Sequence, residues 1–246
     1  MRIAISGSQC IGKTTLCDDI VKTWTKYKKS PNTYRALVKE KNLPTSKLVT
    51  RDGQRQILDK ILEECKQFRK GDKVIFDRCA IDNIVYSLWS MDKGTSDIDK
   101  AFINDCISTV KEAMRHIDIV FFIPITQASP IKLEEKAMRE IDQEYVGEID
   151  NIFKAVAHQH AQDKSLFFDK DDAPPIIEIF GSREERIELL KYYLDVDGDL
   201  IETQSSVLDV NNMQDMEQLL REQREQFVID NKDTLIKKGI IGDKTK

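Results

Sequence analysis

The stretch ISGSQCIGKTTL, residues 5–16, decides how this chain folds. In this stretch, Gly7 is followed by four residues and then by Gly12, Lys13 and Thr14. This is the spacing of a loop that holds the phosphates of a nucleotide. Glycine lets backbone N–H groups approach phosphate oxygens, and the helix after the loop turns its positive end toward the anion. Lys13 adds a positive charge, and Thr14 offers its hydroxyl to Mg²⁺. The stretch therefore predicts binding of ATP or GTP, and the predicted binding residues are Gly7, Ser8, Gln9, Cys10, Ile11, Gly12, Lys13, Thr14 and Thr15.

Short apolar runs alternate with helical patterns on the carboxyl side of this loop. Predicted strands cover residues 2–6, 32–37, 73–77, 118–123 and 176–180. Predicted helices cover residues 13–27, 52–68, 98–114 and 131–162, and a further helix begins after Ser182 and runs to about Tyr193. This alternation is typical of α/β proteins, in which helices cover both faces of a parallel sheet. We expect roughly five parallel strands.

The pattern changes after residue 195, so we expect a core over residues 1–195 and a small C-terminal appendage over residues 196–246. The appendage begins with Asp197-Gly198, which favours a hairpin turn. An amphipathic helix is predicted over residues 212–228, followed by a Lys-rich tail. Packing of that helix onto the core, formation of a homodimer and contact with DNA are the alternatives for its apolar face.

Composition and charge exclude several classes of protein. No apolar run approaches the roughly 18 residues that cross a bilayer, so no membrane association is expected. The chain runs from Met1 directly into the first strand, and its five cysteines form no CxxC pair. These features favour a cytoplasmic protein with reduced thiols.

The charge of the chain is divided unevenly. Residues 1–78 hold 18 Lys and Arg against 9 Asp and Glu, whereas residues 79–246 hold 20 Lys and Arg against 34 Asp and Glu. The basic part contains the phosphate loop, which suits a polyanionic ligand or reflects a chance segregation of surface charge.

Asp77 and Arg78 stand at the carboxyl end of a predicted buried strand, where ligands bind in open parallel sheets. Asp77 could hold Mg²⁺ through a water molecule or accept the proton of an attacking hydroxyl, and Arg78 could bind a phosphate with two N–H groups. A structural ion pair that supports the next helix is the alternative. The motifs that GTPases use to sense the γ-phosphate and to read guanine are not found, which disfavours a GTPase switch.

Three segments resemble the thymidylate kinases and the related deoxynucleoside kinases. VIFDRCAIDNIVYSLW, residues 74–89, is similar to the Asp-Arg-Tyr region of these enzymes. The segment over residues 50–78 is similar to the one in which arginines meet the acceptor nucleotide, and EEKAMREIDQEYVGEI, residues 134–149, is similar to their lid. The resemblance covers about residues 1–194 and implies a three-layer P-loop kinase fold with a lid within about residues 131–150. It implies ATP and Mg²⁺ as cofactors, with Thr14 and Asp77 at the metal. Asp77 and Arg78 would be catalytic beside Lys13 and Arg139, the lid cations would be Lys136 and Arg139, and the acceptor-binding residues would be Arg35, Arg51 and Arg55.

Two departures from this family concern the acceptor. The thymidylate kinases carry Glu-Pro-Gly-Gly after the second strand, whereas this chain reads YRALVKEKNLP, residues 34–44, with only Glu40 as a carboxylate. Cys79 stands in place of the tyrosine after Asp-Arg. The chain is similar in its compact core, altered acceptor side and basic first third to the bacteriophage branch that phosphorylates 5-hydroxymethyl-deoxyuridine within DNA. That resemblance implies DNA with a modified pyrimidine as the partner and the host cytoplasm as the location. A kinase of free deoxynucleosides or their monophosphates, and a regulatory nucleotide-binding NTPase, are the alternatives.

Overall fold

The computed structural model describes residues 1–31, 33–126, 142–169 and 171–201. Five strands alternate with seven α-helices over these ranges. The strands are β1 (Arg2–Ser6), β2 (Lys28–Lys29), β3 (Val74–Asp77), β4 (Ile119–Phe122) and β5 (Ile176–Glu178). The helices are α1 (Lys13–Thr23), α2 (Thr33–Glu40), α3 (Arg51–Lys66), α4 (Ala80–Lys93), α5 (Lys100–Met114), α6 (Gln143–Ala161) and α7 (Arg183–Leu190), and a 3₁₀ turn covers Ser46–Leu48.

The five strands form one sheet in the order β2-β3-β1-β4-β5, and every pair is parallel. This confirms the predicted α/β class and the parallel sheet of about five strands. β1 is central, with Ile5 opposite Asp77 of β3 and Ser6 opposite Phe122 of β4. The carboxyl ends of these three strands therefore meet at one edge of the sheet, and the phosphate loop leaves β1 at that edge.

Both faces of the sheet are buried, which explains why the strands read as continuous apolar runs. Because side chains alternate along a strand, Ala4 and Phe76 face one hydrophobic cluster, with α3, α4, α5 and α6. Ile3 and Ile5 face a second cluster, formed with α1 and α7. The molecule therefore has three layers, with a helical layer on each side of the sheet.

The predicted strand over residues 32–37 is wrong, because residues 33–40 form helix α2. Tyr34 and Val38 lie one helical turn apart, and both pack against the cluster that contains α3. The edge strand comes earlier and has only two residues, Lys28 and Lys29, which pair with β3. The helix α1 also ends at Thr23, four residues before the predicted end.

The chain after α7 returns to the amino-terminal edge of the sheet as a C-terminal strap, residues 194–201. Leu194 and Leu200 form an antiparallel bridge around the turn at Gly198, where the Asp-Gly pair predicts one. The hydroxyl of Tyr27 donates to the carbonyl oxygen of Gly198 (2.6 Å), and Trp24 Nε1 donates to that of Asp195 (2.7 Å). The predicted boundary at residue 195 remains a prediction, since residues 202–246, including the predicted helix over 212–228, lie outside the described residues.

Among the helices of the described ranges, none combines the length and the apolar character that a bilayer crossing requires.

Candidate active site

The phosphate loop has a backbone that most side chains could not adopt. Gly7 and Gly12 have φ angles of 139° and 87°, and Cys10 between them has a φ of 62°. A Cβ atom on Gly7 would lie 2.4 Å from Ile11 Cδ1 and 2.8 Å from the carbonyl oxygen of Ile123, so a larger residue at position 7 would displace the loop. Gly12 caps α1 without any side-chain hydrogen bond, which leaves N–H groups of the first helical turn available to an anion.

Lys13 points its ammonium group into this loop. Its Nζ atom donates to the carbonyl oxygen of Gly7 (2.8 Å) and to that of Ser8, and its side chain is buried. Burial lowers the pKa of Lys13 to about 7, and repulsion from Arg78 acts in the same direction. Asp82 and Asp77 oppose this shift by attraction. A buried ammonium that bonds only to neutral carbonyls is suited to exchange these bonds for phosphate oxygens.

Asp77 connects the phosphate loop to the opposite side of the cleft. Its Oδ2 atom accepts hydrogen bonds from Thr14 Oγ1 (2.7 Å) and from Arg35 Nη2 (2.9 Å). Its Oδ1 atom is buried and has no hydrogen-bond partner among the described residues. Because an unpaired buried carboxylate oxygen is costly, this atom marks a place where a ligand group belongs.

Thr14 and Asp77 also suit Mg²⁺. A hydroxyl and a carboxylate supply hard oxygen atoms, and Mg²⁺ in proteins is commonly held by one or two carboxylates together with substrate phosphates. The unpartnered Oδ1 atom of Asp77 agrees with that fit. Within the described residues, no group of three or more His, Cys, Asp or Glu side chains forms a self-sufficient metal site.

Arg78 sits in a strained turn at the end of β3. Its φ angle of 96° lies in the left-handed region, which side chains other than glycine rarely adopt. Its backbone N–H donates to the carbonyl oxygen of Ile5 (3.0 Å), which keeps the turn against β1. Its guanidinium lies over the ring of Tyr86, 5.5 Å from the centroid, and its Nη1 atom is 3.4 Å from Asp82 Oδ1. Strain of this kind persists where the surrounding structure enforces it, often at functional sites.

The remaining acceptor-side residues divide into two groups. Arg35 reaches Asp77 from α2 and belongs to the site. Arg51 bonds to residues 97–99, with its Nη2 atom 2.7 Å from Asp99 Oδ1, and Arg55 lies over the ring of Phe102. Both of these arginines therefore contact α5 and the turn before it, and the structure does not bring them to Asp77. Their role in acceptor binding remains a prediction that the geometry does not support.

The other predicted loop residues differ in their surroundings. Ser8 Oγ is buried without a hydrogen-bond partner in the described part of the chain, and Gln9 Oε1 accepts from Ser46 Oγ (3.4 Å). Ile11 is buried in the core, whereas Thr15 is exposed on α1. The predicted lid cations, Lys136 and Arg139, lie outside the described residues.

Sequence reasoning missed two buried residues at this site. Asp82 accepts hydrogen bonds from Ser6 Oγ (2.8 Å) and from the backbone N–H of Cys79 (3.1 Å). Arg186 of α7 donates from Nη1 to the carbonyl oxygen of Ile11 (2.9 Å), so it holds the phosphate loop from the other face of the sheet. Asp82 occupies the third position of α4, where an acidic residue favours a helix cap, and this was the only local signal. No local pattern connects Arg186 to a loop 175 residues earlier.

Comparison with solved structures shows the same fold in two kinases and in the NadR protein. Deoxyadenosine kinase from M. mycoides, solved with dCMP and dCDP, is 20% identical with a TM-score of 0.56, over 79% of this chain and 99% of that chain. Thymidylate kinase from Candida albicans is 15% identical with a TM-score of 0.54, over 82% of this chain and 95% of that chain. The NadR protein in complex with NR is 14% identical with a TM-score of 0.55, over 82% of this chain and 54% of that chain. The chain thus spans about half the length of that last protein, and identities this low establish the fold alone.

Comparison of sequences gives a result of a different kind. No curated protein matches the chain. The sequence model of the AAA-domain family matches residues 2–167, which include the phosphate loop, Asp77 and Arg78. Because this match covers more than half of the 246 residues, the chain belongs to the AAA-domain family.

Proposed function

We propose that this protein is an ATP-dependent kinase that transfers the γ-phosphoryl group to a hydroxyl group of a nucleoside or nucleotide. The observation that carries the proposal is the position of Asp77, whose Oδ2 atom bonds to Thr14 of the phosphate loop while its buried Oδ1 atom has no partner in the described structure. A carboxylate beside the donor loop with one unused oxygen is suited to accept the proton of an attacking hydroxyl. The two kinases that share the fold support the same chemistry.

The residues of the site divide the reaction among them. Backbone N–H groups of the loop and the Lys13 ammonium hold the β- and γ-phosphates. Thr14 would hold Mg²⁺ directly and Asp77 through a water molecule, and the bound ion would neutralise charge on the phosphates. The acceptor oxygen forms its bond to the γ-phosphorus, the bond to the bridging oxygen breaks and ADP leaves, while the hydroxyl proton passes to the Asp77 carboxylate. Arg78 stabilises the charge that develops on the transferred group.

The favoured acceptor in this proposal is the 5-hydroxymethyl group of 5-hydroxymethyl-deoxyuridine in DNA. Support comes from residues 34–44, which lack the Glu-Pro-Gly-Gly of the thymidylate kinases, whereas Cys79, which replaces their tyrosine, is fully buried. Arg51 and Arg55 are engaged with α5, which disfavours a role in binding the phosphate of a free monophosphate. A base within duplex DNA would have to leave the stack to reach Asp77.

A kinase of free deoxynucleosides is the second candidate. It is favoured by the same unpaired Asp77 oxygen, which would serve a sugar hydroxyl equally well. The likeness to deoxyadenosine kinase over 79% of this chain also agrees with it. A regulatory NTPase differs from both candidates because it would transfer the phosphoryl group to water only.

A labelling experiment separates these functions. The protein is incubated with γ-labelled ATP and Mg²⁺ beside three acceptor pools: duplex DNA containing 5-hydroxymethyl-deoxyuridine, dTMP, and a mixture of deoxynucleosides. Label in the DNA supports the favoured acceptor, label in deoxynucleosides supports the second candidate, and label in dTMP would refute the argument from Arg51 and Arg55. Asp77→Asn, which keeps the shape of the side chain and removes its charge, is the matched control and should slow transfer by about 10²- to 10⁴-fold. Release of labelled phosphate with no labelled acceptor in any pool would refute the kinase proposal.

A further inference from the structure

Asp82 is a buried carboxylate that contacts two parts of the site at once. Its Oδ2 atom accepts from Ser6 Oγ at 2.8 Å and from the backbone N–H of Cys79 at 3.1 Å. Its Oδ1 atom lies 3.4 Å from Nη1 of Arg78. Its side chain is 3% exposed, so these contacts replace the water that a carboxylate would otherwise bind. Ser6 directly precedes Gly7, and Asp82 therefore connects the start of the phosphate loop to Arg78.

The two oxygen atoms of Asp82 contact the strained turn at Arg78 at two points, the backbone N–H of Cys79 and the guanidinium of Arg78. Oδ2 fixes the backbone N–H of Cys79, the residue that follows the left-handed Arg78. Oδ1 contacts the guanidinium of Arg78, which also lies over the ring of Tyr86. A side chain in a sparsely populated backbone conformation keeps one orientation only when such contacts over-determine it.

Charge leads to the same conclusion. Lys13 and Arg78 carry like charge in a buried site, and Arg78 disfavours the protonated form of Lys13. Asp82 attracts both of them, while burial raises the pKa of Asp82 itself against the opposing attraction of Arg78 and Lys13. Without a carboxylate at this position, Arg78 would keep its contact with the Tyr86 ring but lose the charge of Asp82 beside it.

We propose that Asp82 is a positioning residue that holds the Arg78 guanidinium toward the transferring phosphoryl group. This inference rests on the proposed kinase function, and Asp82 acts in it only through Arg78. The competing account is that Asp82 is a helix cap, because it also forms a capping box with Cys79 at the start of α4. A cap stabilises the helix but has no reason to act through Arg78.

The experiment is a double-mutant cycle on the full chain with Asp82→Asn, Arg78→Met and the combined variant. Asp82→Asn keeps an oxygen that can accept from Cys79 N–H and loses the charge that holds Arg78. The assay measures kcat and the KM for ATP with the acceptor that the labelling experiment identifies, and a thermal melt of each variant reports folding. Ser6→Ala is the matched control, since it removes one hydrogen bond from the same carboxylate without touching the oxygen that faces Arg78.

We expect Asp82→Asn to lower kcat about 10- to 100-fold and to change the KM for ATP by less than about 2-fold, because the loss concerns only the transition state. Arg78→Met should lower kcat by about 10²- to 10³-fold, and the combined variant should be no slower than Arg78→Met alone. Ser6→Ala should keep kcat within about 3-fold of the unmodified protein, because Cys79 N–H still holds the carboxylate.

Losses that multiply in the combined variant would overturn the inference, as would an unchanged kcat in Asp82→Asn or an equal loss in Ser6→Ala. If Asp82→Asn does not fold, the cycle is run with Asp82→Ser, which is uncharged and too short to reach Arg78, and the same criteria apply. Absence of transfer by the unmodified protein would refute the proposed function and the inference with it. Transfer with independent losses would refute the inference alone.

Discussion

Binding of Mg·ATP should weaken as the pH rises through neutrality, because Lys13 must carry a proton to hold the phosphates. In the empty loop, burial is the main cause that lowers the pKa of Lys13 to about 7, and Arg78 and Arg35 add repulsion. Asp82 and Asp77 face the same group and oppose the shift. A bound triphosphate stabilises the charged ammonium, so the complex keeps the proton at a pH where the empty protein has lost it.

Proton linkage converts this difference into a change of affinity. A lysine that titrates near 7 in the empty loop, and far higher in the occupied loop, weakens binding about 25-fold between about pH 6.5 and about pH 8.5. The direction of this change follows from the lowered pKa. Below that pKa, Lys13 is already protonated and the nucleotide binds without uptake of a proton. Above it, Lys13 must take up a proton when the nucleotide binds, which weakens the measured affinity. At about pH 8.5 the complex should therefore take up about one proton per nucleotide.

Isothermal titration calorimetry in two buffers of different ionisation enthalpy measures both quantities, the dissociation constant and the proton uptake. Lys13→Met is the matched control, because its pH dependence reports the ionisation of the nucleotide alone. The difference between the two proteins isolates Lys13. Burial and Arg78 should lower the pKa of Lys13 to about 7 in the protein without nucleotide. That prediction would be refuted by an affinity that stays constant or rises over this pH range, with no uptake of protons beyond that of Lys13→Met.

Three further outcomes are expected. Asp77→Asn should lower kcat by about 10²- to 10⁴-fold with an unchanged melting temperature, and a kcat within about 3-fold of normal would exclude Asp77 as the proton acceptor. Gly198→Ala should lower the free energy of unfolding by about 1–3 kcal/mol more than Gly71→Ala, measured by urea denaturation. Both glycines have positive φ angles, but only at Gly198 would the new Cβ atom lie 2.6 Å from Tyr27 Cε2, so equal losses would exclude the clash. Arg186→Met should weaken binding of ATP by about 10-fold, measured by calorimetry, since the phosphate loop loses a hydrogen bond from a buried guanidinium; an unchanged dissociation constant would contradict this.

Most of the fold could be predicted because its signals are local. The buried strands at residues 74–77 and 119–122 are continuous apolar runs bounded by polar residues, and the loop at residues 7–14 carries its own spacing. The helix α2 was missed because Tyr34 and Val38 repeat at one helical turn within a segment of only 8 residues. Such a short segment has too few apolar positions to distinguish a period of two from a period of 3.6.

The site could be predicted only in part, because several of its contacts join distant parts of the chain. Asp82 meets Ser6 across 76 residues, and no helical or strand period brings these two positions together. Arg51 and Arg55 lie on a correctly predicted helix, but the face of α3 that meets α5 was not determined by the sequence pattern. Tertiary packing determines both the contact of Asp82 with Ser6 and the face of α3 that meets α5.

The contacts of Lys13 in the empty loop bear on which anions the protein tolerates. The Lys13 ammonium donates hydrogen bonds to the carbonyl oxygens of Gly7 and Ser8. An anion that binds to Lys13 must therefore replace those hydrogen bonds. Chloride has no oxygen atoms and inorganic phosphate has only one phosphorus centre, so each can accept from fewer loop N–H groups than a triphosphate. A polyphosphate chain can accept from more of the loop N–H groups at once, so these contacts of Lys13 should favour a nucleotide over a small anion.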